Sequence, residues 1–120
     1  MAKPRQDRRV VNIHTADFGP YDMEGPVQPE MSLLPLSWER TSGNGSYMMR
    51  MQPGAATIPH DHPGFEDFMI LEGELTDSDG TTFRAGDFVS YAPGTRHNSW
   101  STPGCVLIAF EFQRPDPAKG

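Results

Sequence analysis

The chain has little of what many functions need. It carries one cysteine in 120 residues, so no internal disulfide can form and no Cys-x-x-Cys metal site exists. Its formal net charge is −6, with 10 Lys and Arg against 16 Asp and Glu. That balance disfavours nonspecific binding to nucleic acid or to an anionic membrane surface. No apolar run reaches the length of a membrane span; the longest, Cys105 to Phe110, is far too short. No phosphate-binding loop, dinucleotide glycine fingerprint or Gly-x-Ser-x-Gly elbow is present. The basic start, Met1 to Arg9, has no apolar segment behind it and so does not read as a secretory signal. With a lone thiol and no signal, the expected location is the cytoplasm. Asn44-Gly45-Ser46 matches a glycosylation sequon, but without a signal it reads as a turn.

What the chain does have is 12 glycines and 12 prolines beside a modest 36% of apolar residues. Long helices are excluded by that mixture. It suits one all-β domain of short strands and tight turns. Residues 1–30 read as an extended N-terminal arm, 31–113 as the barrel and 114–120 as a Pro-rich tail. Within the arm, Val10 to Phe18 carries a weak strand signal. Thr41 to Ser46 reads as a hairpin turn around its Asn-Gly pair. The next strand, Ser46 to Met51, alternates, with Tyr47, Met49 and Met51 on one face. Phe65 to Leu75 and Cys105 to Phe112 read as strands, and Asp77 to Gly80 as a turn.

The chemistry lies between Gly54 and Gly73. His60 and His62 stand one residue apart, so on a strand they share a face and Asp61 points away. Pro63-Gly64 bends the chain and lets Glu66 reach the same point. A second Gly/Pro turn, Pro93-Gly94-Thr95-Arg96, delivers His97. Three of the four histidines therefore fall at ligand positions, and His14 falls outside them. Three imidazoles and one carboxylate suit a single divalent transition metal: Fe, Zn, Mn or Ni. The metal needs neutral imidazoles, so affinity is expected to fall with pH. Tyr47, Met49, Phe68, Ile70 and Trp100 are candidate pocket walls, and Arg96 could pair with an anionic substrate.

These residues resemble the cupin superfamily. Its first motif, G-x5-H-x-H-x3-4-E-x6-G, is matched without a gap by Gly54, His60, His62, Glu66 and Gly73. Its second is matched by Gly86, Gly94 and His97, with the proline displaced to Pro93 and Ser101 in place of Asn. The wording around His60-Asp61-His62-Pro63-Gly64-Phe65-Glu66 and Pro93-Gly94-Thr95-Arg96-His97 is similar to the ChrR-type branch. That branch includes zinc-binding anti-sigma factors and small dioxygenases for acetylacetone or dihydroxyacetophenone. The resemblance implies a double-stranded β-helix (jelly-roll) barrel, a metal in its mouth, and a homodimer. An anti-sigma role also needs an N-terminal helical zinc domain, which the Pro-broken, Cys-free first forty residues do not match. The expected function is a non-haem Fe(II) dioxygenase-like enzyme acting on a small carbonyl or phenolic compound. The alternatives are a Zn- or Mn-dependent isomerase or hydrolase-like cupin, and a non-catalytic binding or sensor module.

Overall fold

A computed structural model describes residues 5–23 and 25–113; the tail at 114–120 lies outside them. Among the described residues there is no helix, and eleven strands follow in order: β1 Gly19–Pro20, β2 Met31–Pro35, β3 Gly45–Met51, β4 Ala55–Ala56, β5 His60–His62, β6 Phe65–Asp77, β7 Thr82–Arg84, β8 Phe88–Tyr91, β9 Thr95–His97, β10 Ser99–Ser101 and β11 Cys105–Phe112. All pairings are antiparallel. Nine strands run in the order β1-β2-β3-β11-β6-β10-β4, with β7 and β8 also on β6, while β5 and β9 form a separate pair. The larger sheet curls on itself.

The 13-residue β6 makes that curl. Its first half pairs with β11 and β8, its second with β7 and β10. Between them the register with β11 skips Leu71: Leu107 faces Ile70, but Val106 faces Glu72. One extra residue bends a strand and reverses which side chains face inward. Glu66, Phe68 and Ile70 are buried before the bulge; Leu75 and Asp77 are buried after it. Gly73 sits at the corner with φ +77°, where a Cβ would stand 2.0 Å from the Gly104 carbonyl oxygen. Only glycine fits a left-handed corner packed that closely.

The core inside the curl is built from alternate residues of these strands. Leu33, Met49, Leu107 and Ile70 meet across β2, β3, β11 and β6. Each such burial is worth roughly 1.5–3 kcal/mol. Tyr21, just after β1, joins the same core, so the N-terminal arm docks on the β2 edge and contributes to the interior. On the outer face the same register aligns Leu34, Met48, Ile108, Met69 and Phe88 in one apolar row. Leu34 and Met48 are buried; Met69 and Phe88 are exposed.

Val10 to Phe18 is not a strand. The Asn12 side chain accepts a hydrogen bond from the His14 N–H, and its carbonyl accepts from Thr15 and Ala16. A side chain that satisfies nearby backbone donors in this way offers an alternative to the sheet ladder. Phe18 instead lies under the Arg50 guanidinium, 4.0 Å from ring centre to Cζ.

Candidate metal centre

The short β5–β9 pair sets His60 directly opposite His97. Strand alternation then puts His62 on the same side as His60 and sends Asp61 outward to Arg96, 3.3 Å away. Gly64 allows the turn that follows: a Cβ there would lie 2.0 Å from the Phe112 carbonyl oxygen. That close crossing brings β6 back so that Glu66 enters the cluster. One ligand atom from each of His60, His62, Glu66 and His97 lies within 4.8 Å of all the others. Glu66, His62 and His97 are buried, and His60 is half-buried.

Each imidazole has its Nδ1 occupied on the side away from this point. His60 Nδ1 donates to the Ile58 carbonyl at 2.6 Å. His62 Nδ1 donates to Glu111 Oε1 at 3.2 Å, and His97 Nδ1 to Asp77 Oδ1 at 3.3 Å. With a proton held on each Nδ1, Nε2 is the nitrogen left to offer a lone pair once a ring is neutral. His62 and His97 Nε2 face each other at 3.0 Å, and Glu66 stands 2.8 Å and 3.4 Å from them. Two lone pairs and a carboxylate repel at such distances unless a proton or a cation sits among them. The donor set therefore fits a divalent metal, with the outer hydrogen bonds orienting each ring as they do at metal sites.

Two tyrosines complete the outer layer. Tyr47 donates to Glu111 Oε2 at 2.9 Å, and Tyr91 donates to Asp77 Oδ2 and stacks on the His97 ring at 4.3 Å. Burial, reinforced by the neighbouring carboxylate, raises both phenols well above the usual tyrosine range. Burial alone would lower His62, but its hydrogen bonds to Glu111 and Glu66 outweigh that and raise it to about 10. Burial alone would raise Glu66, yet the bonds to His62 and His97 bring it down to about 2.

The cluster borders a cavity of about 30 Å³, room for roughly two waters. Tyr21, Tyr47, Met49, Thr57, His60, Glu66, Phe68, Leu75, His97, Ser99, Leu107 and Ala109 line it. Of the residues singled out as pocket walls, Tyr47, Met49 and Phe68 are there. Ile70 is fully buried in the core away from it. Arg96 and Trp100 are on the outside, Arg96 paired with Asp61 and Trp100 partly exposed opposite Ala56. Asp77, Glu111, Tyr91, Tyr21, Thr57 and Ser99 were not among the residues the sequence pointed to. One signal was available for Glu111: it continues the inward series Cys105, Leu107, Ala109, and an acid in that phase of an apolar strand needs a partner.

A family model described as the ChrR cupin-like domain matches residues 6–114. No curated protein matches the sequence. Among solved structures, an acetylacetone dioxygenase from Acinetobacter johnsonii superposes with a TM-score of 0.74 at 14% identity, covering 92% of this chain and 78% of that one. An RmlC-like cupin from Ralstonia eutropha JMP134 gives 0.74 at 14% identity, over 88% and 68%. The Rhodobacter sphaeroides SigE complex with the anti-sigma ChrR gives 0.64 at 18%, over 84% and 51%. At these identities the likeness is one of fold.

Proposed function

The chain belongs to the ChrR cupin-like family, and from that premise we propose a metal-dependent enzyme of the non-haem Fe(II) dioxygenase type, acting on a small carbonyl or phenolic compound. The observation that carries this reading is the convergence of one ring nitrogen from each of His60, His62 and His97 with a Glu66 oxygen beside a cavity, each Nδ1 being hydrogen-bonded to a carbonyl or carboxylate. His60, His62 and His97 are the assigned core ligands and Glu66 the fourth. An Fe(II) ion held there would supply open coordination positions and a redox couple for dioxygen chemistry. The protein's own contribution is placement. Phe68, Met49 and Leu107 give an apolar wall that excludes bulk water, and Thr57 and Ser99, bonded to each other, lie at the same cavity. The fold likeness to an acetylacetone dioxygenase supports the choice of chemistry.

The test is oxygen uptake by Fe(II)-loaded protein against a panel of β-diketones and phenols. Substrate-dependent uptake that disappears in His60→Ala is expected. Absence of uptake across the panel would contradict the oxygenase reading. Turnover of the same compounds without oxygen, on Zn or Mn, would replace it with an isomerase or hydrolase. Tight ligand binding without turnover would replace it with a binding module. The exposed end of the outer row, Met69 and Phe88, is assigned to contact with a second copy of the chain. A sedimentation profile of a monomer at high micromolar concentration would refute that assignment.

A further inference from the structure

We propose that Tyr21, carried by the N-terminal arm, sets the size of ligand this site accepts: compact molecules enter, and bulkier ones are shut out by the Tyr21 ring. The inference rests on the ligand cavity of the reading above and deepens it by naming the residue that limits the ligand. Tyr21 follows β1, is only 4% exposed, and both packs in the core and lines the cavity with His60 and His97. With the ring in place the cavity measures about 30 Å³, room for roughly two waters. Sites for small organic molecules run to about 300–1,000 Å³. A ligand much larger than the cavity therefore needs a wall to yield.

Tyr21 is the wall held differently from the rest. All the lining residues except Tyr21 and Thr57 sit in strands. Thr57 is tied to Ser99: its N–H donates to the Ser99 carbonyl at 2.8 Å, and its hydroxyl accepts from the Ser99 N–H at 2.9 Å. Tyr21 comes from the arm, whose β1 pairs with β2 over two residues only, one of them Pro20 with no N–H to give. The arm also runs where the curled sheet has its two edges, β1–β2 on one side and β4 on the other. Gln28 Nε2 donates across to the Ala56 carbonyl of β4 at 2.9 Å, and a Cβ on Gly25 would stand 3.2 Å from Ile58 Cδ1, in the segment that leads into His60. Tyr21 thus reaches the cavity from the side on which the arm bridges these edges. Removing a buried aromatic ring leaves a space on the order of 100 Å³, enough for a small aromatic guest. A group that a pocket cannot house costs about tenfold or more in affinity.

The experiment uses the full chain as wild type, Tyr21→Ala, Tyr21→Leu and Tyr21→Phe, with two readouts. Co(II)-loaded protein is titrated with acetohydroxamate and benzohydroxamate and read from the visible cobalt spectrum. Metal-free protein is titrated with phenol and read by ligand-observed NMR. Relative to wild type, Tyr21→Ala should bind benzohydroxamate tenfold or more tighter, change less than threefold for acetohydroxamate, and take up phenol where the wild type does not. Tyr21→Phe keeps the ring and should behave as wild type; if it opens the site as Tyr21→Ala does, the hydroxyl rather than the ring sets the limit and the proposal falls. If Tyr21→Ala does not fold, Tyr21→Leu decides on the same criteria. The same hydroxamate preference in wild type and in a folded truncation overturns the proposal and leaves the metal reading intact. A wild type that loads no cobalt counts against the metal reading alone, and phenol then decides: uptake by the truncation but not by wild type or Tyr21→Phe supports the proposal, and uptake by all or by none overturns it.

Discussion

Metal binding here should be an exchange of a proton for a cation, and its size follows from His62. In the metal-free protein the His62 imidazole is raised to about 10: burial works against the charge, but the hydrogen bonds to Glu111 and Glu66 hold it. A metal needs that ring neutral. At pH 7 the proton must be displaced from a group about three units above ambient, which costs about 4 kcal/mol, or roughly a thousandfold in apparent affinity relative to pH 10. Affinity should therefore climb about tenfold per pH unit as pH rises from 7.5 to 8.5, a window already above the ordinary imidazole value of about 6.5. Calorimetric titration with Zn(II), in buffers of different ionisation enthalpy and with a competing chelator, counts the protons directly. About one proton per metal is expected at pH 8. In Glu111→Gln the bond that favours the charged ring is weakened, His62 should fall, and fewer protons should be released at the same pH. An affinity flat from pH 7.5 to 8.5 with no proton release would show instead that His62 is neutral before the metal arrives.

Two further outcomes follow from the same geometry. Glu66 is lowered to about 2 in the folded, metal-free protein, its bonds to His62 and His97 overcoming burial; the stability it contributes, about 3 kcal/mol, is present above the unfolded carboxyl value and lost as pH falls from about 4.5 through 2. Urea unfolding of chelator-treated protein should show that acid loss in the wild type and a flatter profile in Glu66→Gln. Gly64→Ala would push a Cβ to 2.0 Å from the Phe112 carbonyl oxygen, so the turn between His62 and Glu66 must move; a loss of about 1–3 kcal/mol in urea and weaker metal uptake are expected, and a variant with wild-type stability and metal affinity would count against the assigned path of the turn.

That His60, His62, Glu66 and His97 come together was legible in the sequence because local rules bring them there. Period-two alternation aligned His60 with His62, Pro63-Gly64 brought Glu66 round, and a second turn delivered His97. The outer layer was not legible because it depends on long-range register. Asp77 reads as a turn residue, and it faces His97 only because the bulge at Leu71 reverses the phase of β6 and the strand turns its corner at Gly73. An unbroken strand would carry Glu66 and Asp77 about 36 Å apart, yet both touch the same imidazole. Arg96 faces outward for the same reason that His97 faces inward: adjacent strand residues point to opposite sides. The strand signal at Val10 to Phe18 failed for a different cause, the local hydrogen bonds of Asn12.

His60, His62, Glu66 and His97 stand close enough together to hold one divalent metal. Metal content per chain, measured on protein purified without added metal or chelator and compared with His60→Ala, tests it most directly. Close to one transition-metal ion per wild-type chain is expected, with a large loss in the variant. Wild type and His60→Ala with the same negligible content, unchanged after reconstitution with Fe(II), Mn(II), Ni(II) and Zn(II), would contradict it.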